Sequence, residues 1–238
     1  MMKTIYFWVL GLLLLAAGLT SCSKDEDKNK QIVDEGSHLY FRHSPAEEVS
    51  VQGNYDRQET TEPYDLAVHV HSKQKDQSGY STPQLYYIEN DKAIEQQIAA
   101  FLDPNGNKYK GIMPEEVYYV TESCKNITMA HYDRNDNFVS DITDKARFYC
   151  PEYIGEVYNP DNFGPIGYNL LFDSNKKLLG RIKDGTTISQ YLSYHPLVFA
   201  NAYFVFPDFL METISKGNYI LVKIELDNGV ILSAKASF

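Results

Sequence analysis

The chain has little cysteine, almost no tryptophan and a deficit of basic residues. Three cysteines and one tryptophan in 238 residues exclude a scaffold held by several disulfides. They also remove the largest aromatic platform for stacking on a sugar ring. Lys and Arg number 22 against 32 Asp and Glu, a formal charge of −10. This balance argues against nucleic acid and anionic membrane surfaces as partners, because both reward clustered Lys and Arg. The sequence holds no Gly-x-Ser-x-Gly elbow, no His-Glu-x-x-His helix and no Walker loop. The doublets Glu47-Glu48 and Glu115-Glu116 place neighbouring carboxylates on opposite faces of a strand, so neither is by itself a hydrolytic pair.

The N-terminus carries an address. Lys3 precedes an apolar segment from Ile5 to Leu19, which small residues connect to Cys22. This is the layout of a cleaved signal peptide, residues 1–21, rather than of a fold element. The segment falls short of the roughly twenty residues that cross a bilayer. Leu19-Thr20-Ser21-Cys22 resembles the lipobox of bacterial lipoproteins, with Ser21 where Gly or Ala is commoner. The resemblance implies lipidation of Cys22, palmitate included. Ser23, Lys24, Asp25, Glu26, Asp27 and Lys28 resemble the export signal of Bacteroidetes surface lipoproteins, and a plain solvated spacer explains the same residues. Both readings anchor the chain in the outer membrane through lipid, and the first puts it at the cell surface. Loss of residues 1–21 removes Lys3, no acid and the sole tryptophan, Trp8, so the charge becomes −11.

Residues 22–44 read as a flexible acidic tether and 45–238 as the folded body, with a candidate boundary near Gly111 to Pro114. Strict alternation over Leu66 to His71 predicts a strand with Leu66, Val68 and Val70 on one face and Ala67, His69 and His71 on the other. Ile94, Ile98, Phe101 and Leu102 recur at helical spacing, which predicts one helix near 91–102. Further strands are predicted at Val117 to Thr121, Asn126 to Tyr132, Ile166 to Phe172, Leu178 to Ile182 and Val198 to Phe206. Tyr219 to Leu226 and Val230 to Ala236 flank Asp227-Asn228-Gly229 and predict a hairpin with positive φ at Asn-Gly. The pattern is all-β with a minor helical part, and an immunoglobulin-like β-sandwich is expected. No internal repeat at a fixed period is visible. The stretch from Pro114 through Cys124-Lys125-Asn126-Ile127-Thr128 to the last hairpin resembles uncharacterised Bacteroidetes lipoproteins, a likeness that implies no activity.

Four groups of residues carry candidate chemistry. Cys124 and Cys150 remain after lipidation of Cys22, and an oxidising envelope makes a bridge between them an expectation, with two buried thiols as the alternative. His69 and His71 share a strand face and, joined by His131, could ligate zinc or copper. Two histidines on a solvated strand face explain the same pattern. Asp133, Asn135, Asn137, Asp141 and Asp144 fall at ligand positions of a calcium loop, although Phe138 stands where glycine is needed. A hydrogen-bonded turn accounts for them equally. The doublets Tyr86-Tyr87 and Tyr118-Tyr119, with Tyr149 and Tyr153 around Cys150, offer aromatic area with polar tips. No cofactor is expected. The sequence reads as a non-enzymatic surface module that binds or assembles with another surface protein. A glycan-binding lipoprotein of a nutrient-uptake system is the alternative, and a secreted hydrolase stands third.

Overall fold

Runs of β-branched and aromatic residues between Asp, Asn and Gly turns fold into short strands that enclose one main core. The computed structural model describes residues 39–43, 45–54, 64–73, 91–102, 104, 115–150, 170–214 and 217–238. All of them belong to one unit, Val33–Phe238. Cys22, the signal peptide, the first part of the tether, Gly111 to Pro114, Tyr86, Tyr87 and Tyr153 lie outside the described residues. No described helix is long and apolar enough to cross a membrane.

In chain order the strands are β1 (Leu39–His43), β2 (Glu48–Gly53), β3 (Leu66–His71), β4 (Glu115–Tyr119), β5 (Cys124–Tyr132) and β6 (Phe138–Asp141). They continue with β7 (Arg147–Phe148), β8 (Leu170–Phe172), β9 (Leu178–Arg181), β10 (Asn201–Val205), β11 (Tyr219–Leu226) and β12 (Ile231–Ser237). The helices are α1 (Lys92–Leu102), α2 (Ile188–Leu192) and α3 (Asp208–Met211). Two antiparallel four-stranded sheets, β2-β3-β10-β7 and β12-β11-β5-β6, account for most of the pairing. A parallel pair β1-β4 and a hairpin β8-β9 complete it. The chain is thus mostly antiparallel β with few helices. β1 lies inside the segment expected to be tether. Its Phe41 packs on a buried cluster, so the charge-rich stretch ends earlier than its composition indicates.

Leu66, Val68 and Val70 of β3 and Ala202 and Phe204 of β10 meet Ile127 and Met129 of β5 and Ile220, Val222 and Ile224 of β11 in the main core. β3 is covered on both faces, with Ala67 and His71 buried as well. The face expected to be solvated therefore is not. A second cluster gathers Ile94, Ile98 and Leu102 of α1 with Val117, Tyr119, Phe172 and Leu197. The i, i+4, i+8 spacing puts those α1 residues on one stripe. Phe101, expected in that stripe, is 44% exposed and lies under the Arg181 guanidinium.

Two hairpins are copies of one design. In β5-β6, the Asp133 N–H donates to Asn137 O and the Asp136 N–H to Asp133 O. Asp133 Oδ1 accepts the N–H groups of Asn135 and Asn137. In β8-β9, Asp173, Asn175, Lys176 and Lys177 make the same four bonds. The register slips at the equivalent step, between His131 and Tyr132 and between Leu171 and Phe172. Asp136 and Lys176 both take φ 62°, a region that glycine usually fills. Each is held by a neighbour. Asp136 Oδ1 accepts from Tyr219 Oη and Lys235 Nζ, and Lys176 Nζ reaches Asp91 Oδ2 at 2.8 Å. A structural repeat therefore exists where no sequence period shows. The β11-β12 turn closes with Leu226 N–H to Val230 O and Gly229 N–H to Leu226 O. Only Gly229 has positive φ there, so Asn228 does not take the positive φ expected of Asn-Gly.

The outer strands β2 and β12 of the two sheets run against each other. A Cβ on Gly53 would meet Ser237 O and the Phe238 ring at 2.9 Å. Glycine is required here by close approach, not by its dihedral freedom. Gly53→Ala is expected to lower stability by about 1–3 kcal/mol through overpacking, measured by denaturant unfolding. Unchanged stability would show that Phe238 yields freely.

Candidate functional site

Among the described residues a concavity lies where the second cluster meets β10. Tyr118, Tyr119, Leu170, Phe172, Leu197 and Asn201 line it, and its volume of ≈ 20 Å³ has room for about one water. It is a shallow cleft rather than a chamber for a small molecule. Polar groups from distant segments meet around Tyr119, which lines it. At the Tyr119 side, Tyr119 Oη donates to Glu95 Oε1 at 3.0 Å and accepts the Asp91 N–H at 2.9 Å. The His43 ring stacks on Tyr119 with centroids 5.3 Å apart, and its Nε2 lies 3.0 Å from Thr121 Oγ1. Burial raises the Glu95 pKa, and the Tyr119 hydrogen bond pulls it back in part. Burial also raises the Tyr119 pKa, so the phenol stays neutral and can donate. The result is a half-buried acid held by a neutral phenol beside an imidazole face.

Local sequence explains why these groups stay in place. Asp91 caps α1 by accepting the N–H groups of Ala93 and Ile94 on Oδ1, as short acidic residues do at helix starts. The Lys176 hydrogen bond, followed by these amides, lowers the Asp91 pKa. Gln97 then joins α1 to the β8-β9 hairpin. Its Nε2 donates to Lys176 O and its Oε1 accepts the Leu178 N–H. One carboxamide thereby occupies the edge of β9 as a neighbouring strand's peptide group would.

At the other rim, Asn201 Oδ1 accepts from His69 Nδ1, and Tyr203 meets the His69 ring edge-on. His71 Nδ1 donates to Ser72 O at 2.9 Å. His71 is 9% exposed, and its Nε2 is buried without a hydrogen-bond partner among the described residues. Such an atom costs about 1–3 kcal/mol while it stays unsatisfied.

The remaining expectations are placed as follows. His131 is in the other sheet, on β5, where it accepts from Asn218 Nδ2. It is therefore not the third ligand beside His69 and His71. The calcium template does not assemble. Asp133 is spent on its own turn, Asn135 and Asn137 contribute to that turn, Asp141 Oδ1 accepts the Thr143 N–H, and Asp144 sits in a 3-10 turn at Thr143–Lys145. Among the described residues no three His, Cys, Asp or Glu side chains stand at metal-holding distance. Cys124 and Cys150 are free thiols, so the expected bridge is absent. Cys124 Sγ donates to Asn126 O, and the Cys150 backbone is fixed by Asp184. Tyr119 is buried in the second cluster, while Tyr118 is partly buried against the main core. Sequence reasoning missed His43, Glu95, Gln97 and Asp91. Only Asp91 carried a local signal, as a capping residue ahead of the helical pattern.

Two outcomes follow from this chemistry. Burial pushes the Cys124 and Cys150 thiols up to about 12, so almost no thiolate forms near neutral pH. Both are expected to resist a maleimide in the native chain and to react together on unfolding. Rapid labelling of either under native conditions would refute the placement. Burial also holds the His131 pKa below 6.5. The stability from its neutral ring is fully present above the unfolded pKa and is lost as pH falls through it toward the folded value. The melting temperature is expected to drop between about pH 7.5 and pH 5, and less steeply in His131→Gln. Equal slopes would remove His131 as the cause.

No protein-family model, curated protein or solved structure matches the chain.

Proposed function

We propose that the chain is a non-enzymatic, lipid-anchored outer-membrane protein that faces outward and binds or assembles with another surface protein. Its body is read as an immunoglobulin-like β-sandwich with one long helix. Two antiparallel four-stranded sheets that feed one core support that reading. The string Leu19-Thr20-Ser21-Cys22 and the charged residues after it support the anchor and the address. A lipid on Cys22 holds one leaflet and leaves the body in water.

The observation that carries the reading is the state of β6. It ends its sheet, with β5 on one side and no strand on the other among the described residues. Phe138 and Val139 there are 59% and 51% exposed. A sheet-edge strand that exposes apolar side chains is a template for pairing with another chain. The shallow cleft agrees with recognition by surface rather than by an enclosing pocket.

A glycan-binding reading draws on Tyr64 and Tyr203, whose rings lie 4.4 Å apart beside His69. Crosslinked pull-down of the native lipoprotein from intact outer membrane separates the two. A stoichiometric protein partner is expected, and Phe138→Lys with Val139→Lys is expected to lose it. Recovery of the lipoprotein alone would overturn the assembly reading and leave retardation by polysaccharide as the next measurement.

A further inference from the structure

We propose that His69 and His71 form a two-imidazole site for a borderline divalent transition ion, such as copper or zinc, on the non-core face of β3. Side chains two residues apart on a strand point the same way, with Cα atoms about 7 Å apart. Val70 between them enters the main core. The register puts Glu48 of β2 opposite His71, and Ser50 of β2 and Asn201 of β10 opposite His69.

The tautomers carry the argument. Ser72 O can only accept, so His71 Nδ1 holds the proton and Nε2 holds the lone pair. Asn201 Oδ1 faces His69 Nδ1 in the same way and sets the same tautomer. Both rings are thus left with the Nε2 lone pair available, the arrangement that an outer carbonyl gives a metal-bound imidazole. His71 is nine-tenths buried and its Nε2 meets no donor among the described residues. A buried acceptor without a donor is the atom that a metal would satisfy. His69, half-buried, is the more accessible end. Among the described residues no third His, Cys, Asp or Glu ligand is preformed, so water completes the coordination, with the Glu48 carboxylate opposite His71 in register. Imidazole nitrogens favour copper and zinc over magnesium or calcium.

The test uses the full, untagged chain titrated with Cu²⁺ and followed by electron paramagnetic resonance. One bound ion with hyperfine structure from two imidazole nitrogens is expected. His69→Gln and His71→Gln should each weaken binding by ~10-fold or more. Asn201→Leu, which removes only the acceptor behind His69, should also weaken it ~10-fold. His69→Gln alters a half-exposed side chain, so its circular dichroism should match the wild type and loss of binding there is not loss of fold. Absence of bound Cu²⁺ at several equivalents would overturn the site. So would equal affinity in His69→Gln, or a signal without two imidazole nitrogens.

Discussion

Phe148 is the point on which the rest of the structure closes. Its ring is fully buried and meets Phe204 of β10, Tyr191 of α2 and Phe199 of the connecting segment at centroid distances of 4.6, 5.1 and 5.9 Å. Burial of one such ring is worth about 1.5–3 kcal/mol, and here one ring orders three segments. Tyr191 passes the constraint onward by donating its hydroxyl to Leu197 O at 2.6 Å. Leu197 is itself a member of the second cluster, and its N–H donates to Phe172 O. The cleft, the α1 layer and the β8-β9 hairpin are thereby held in relation to the main core through one aromatic chain. α2 keeps Tyr191 in position despite its five residues, because Thr187 and Gln190 form a complete capping box.

Polar groups follow a similar economy. Asp65 Oδ2 accepts the buried Phe206 N–H, Asp184 takes the Cys150 N–H, and Gln97 takes two backbone groups at the β9 edge. In each case a side chain supplies the partner that a strand does not, which satisfies the demand that interior backbone groups be paired. His71 Nε2 departs from this pattern and is the one buried side-chain polar atom without a partner among the described residues.

Periodic patterns were readable because they depend on neighbours in sequence. The alternation at Leu66 to His71 and the helical spacing of Ile94, Ile98 and Leu102 match β3 and α1 closely. What the patterns could not supply depends on distant residues. His71 is buried although alternation puts it on the face opposite Leu66, Val68 and Val70, because packing from distant segments covers that face too, a fact that its alternation does not contain. The hairpin copies share only Asp133 with Asp173 and Asn135 with Asn175 around the turn, since backbone bonds define the motif and most side chains there are free to vary. Asp133 and its neighbours mimicked a calcium loop because turns and calcium sites select the same short oxygen-bearing residues. The cluster of Glu95, Tyr119 and His43 draws one residue from each of three elements, so no motif announced it.

The turn from Asp227 to Val230 is gripped at its base, where the Asp227 N–H donates to Ser123 O, but not at its tip. Asp136 and Lys176 tie their hairpin tips to side chains elsewhere, whereas a Cβ at Gly229 would meet nothing within 4 Å. Loop tips of this kind tolerate inserted sequence. A fluorophore-binding tag or an epitope placed between Asn228 and Gly229 would ride on the paired strands β11 and β12. The last hairpin thus offers an attachment point for a label.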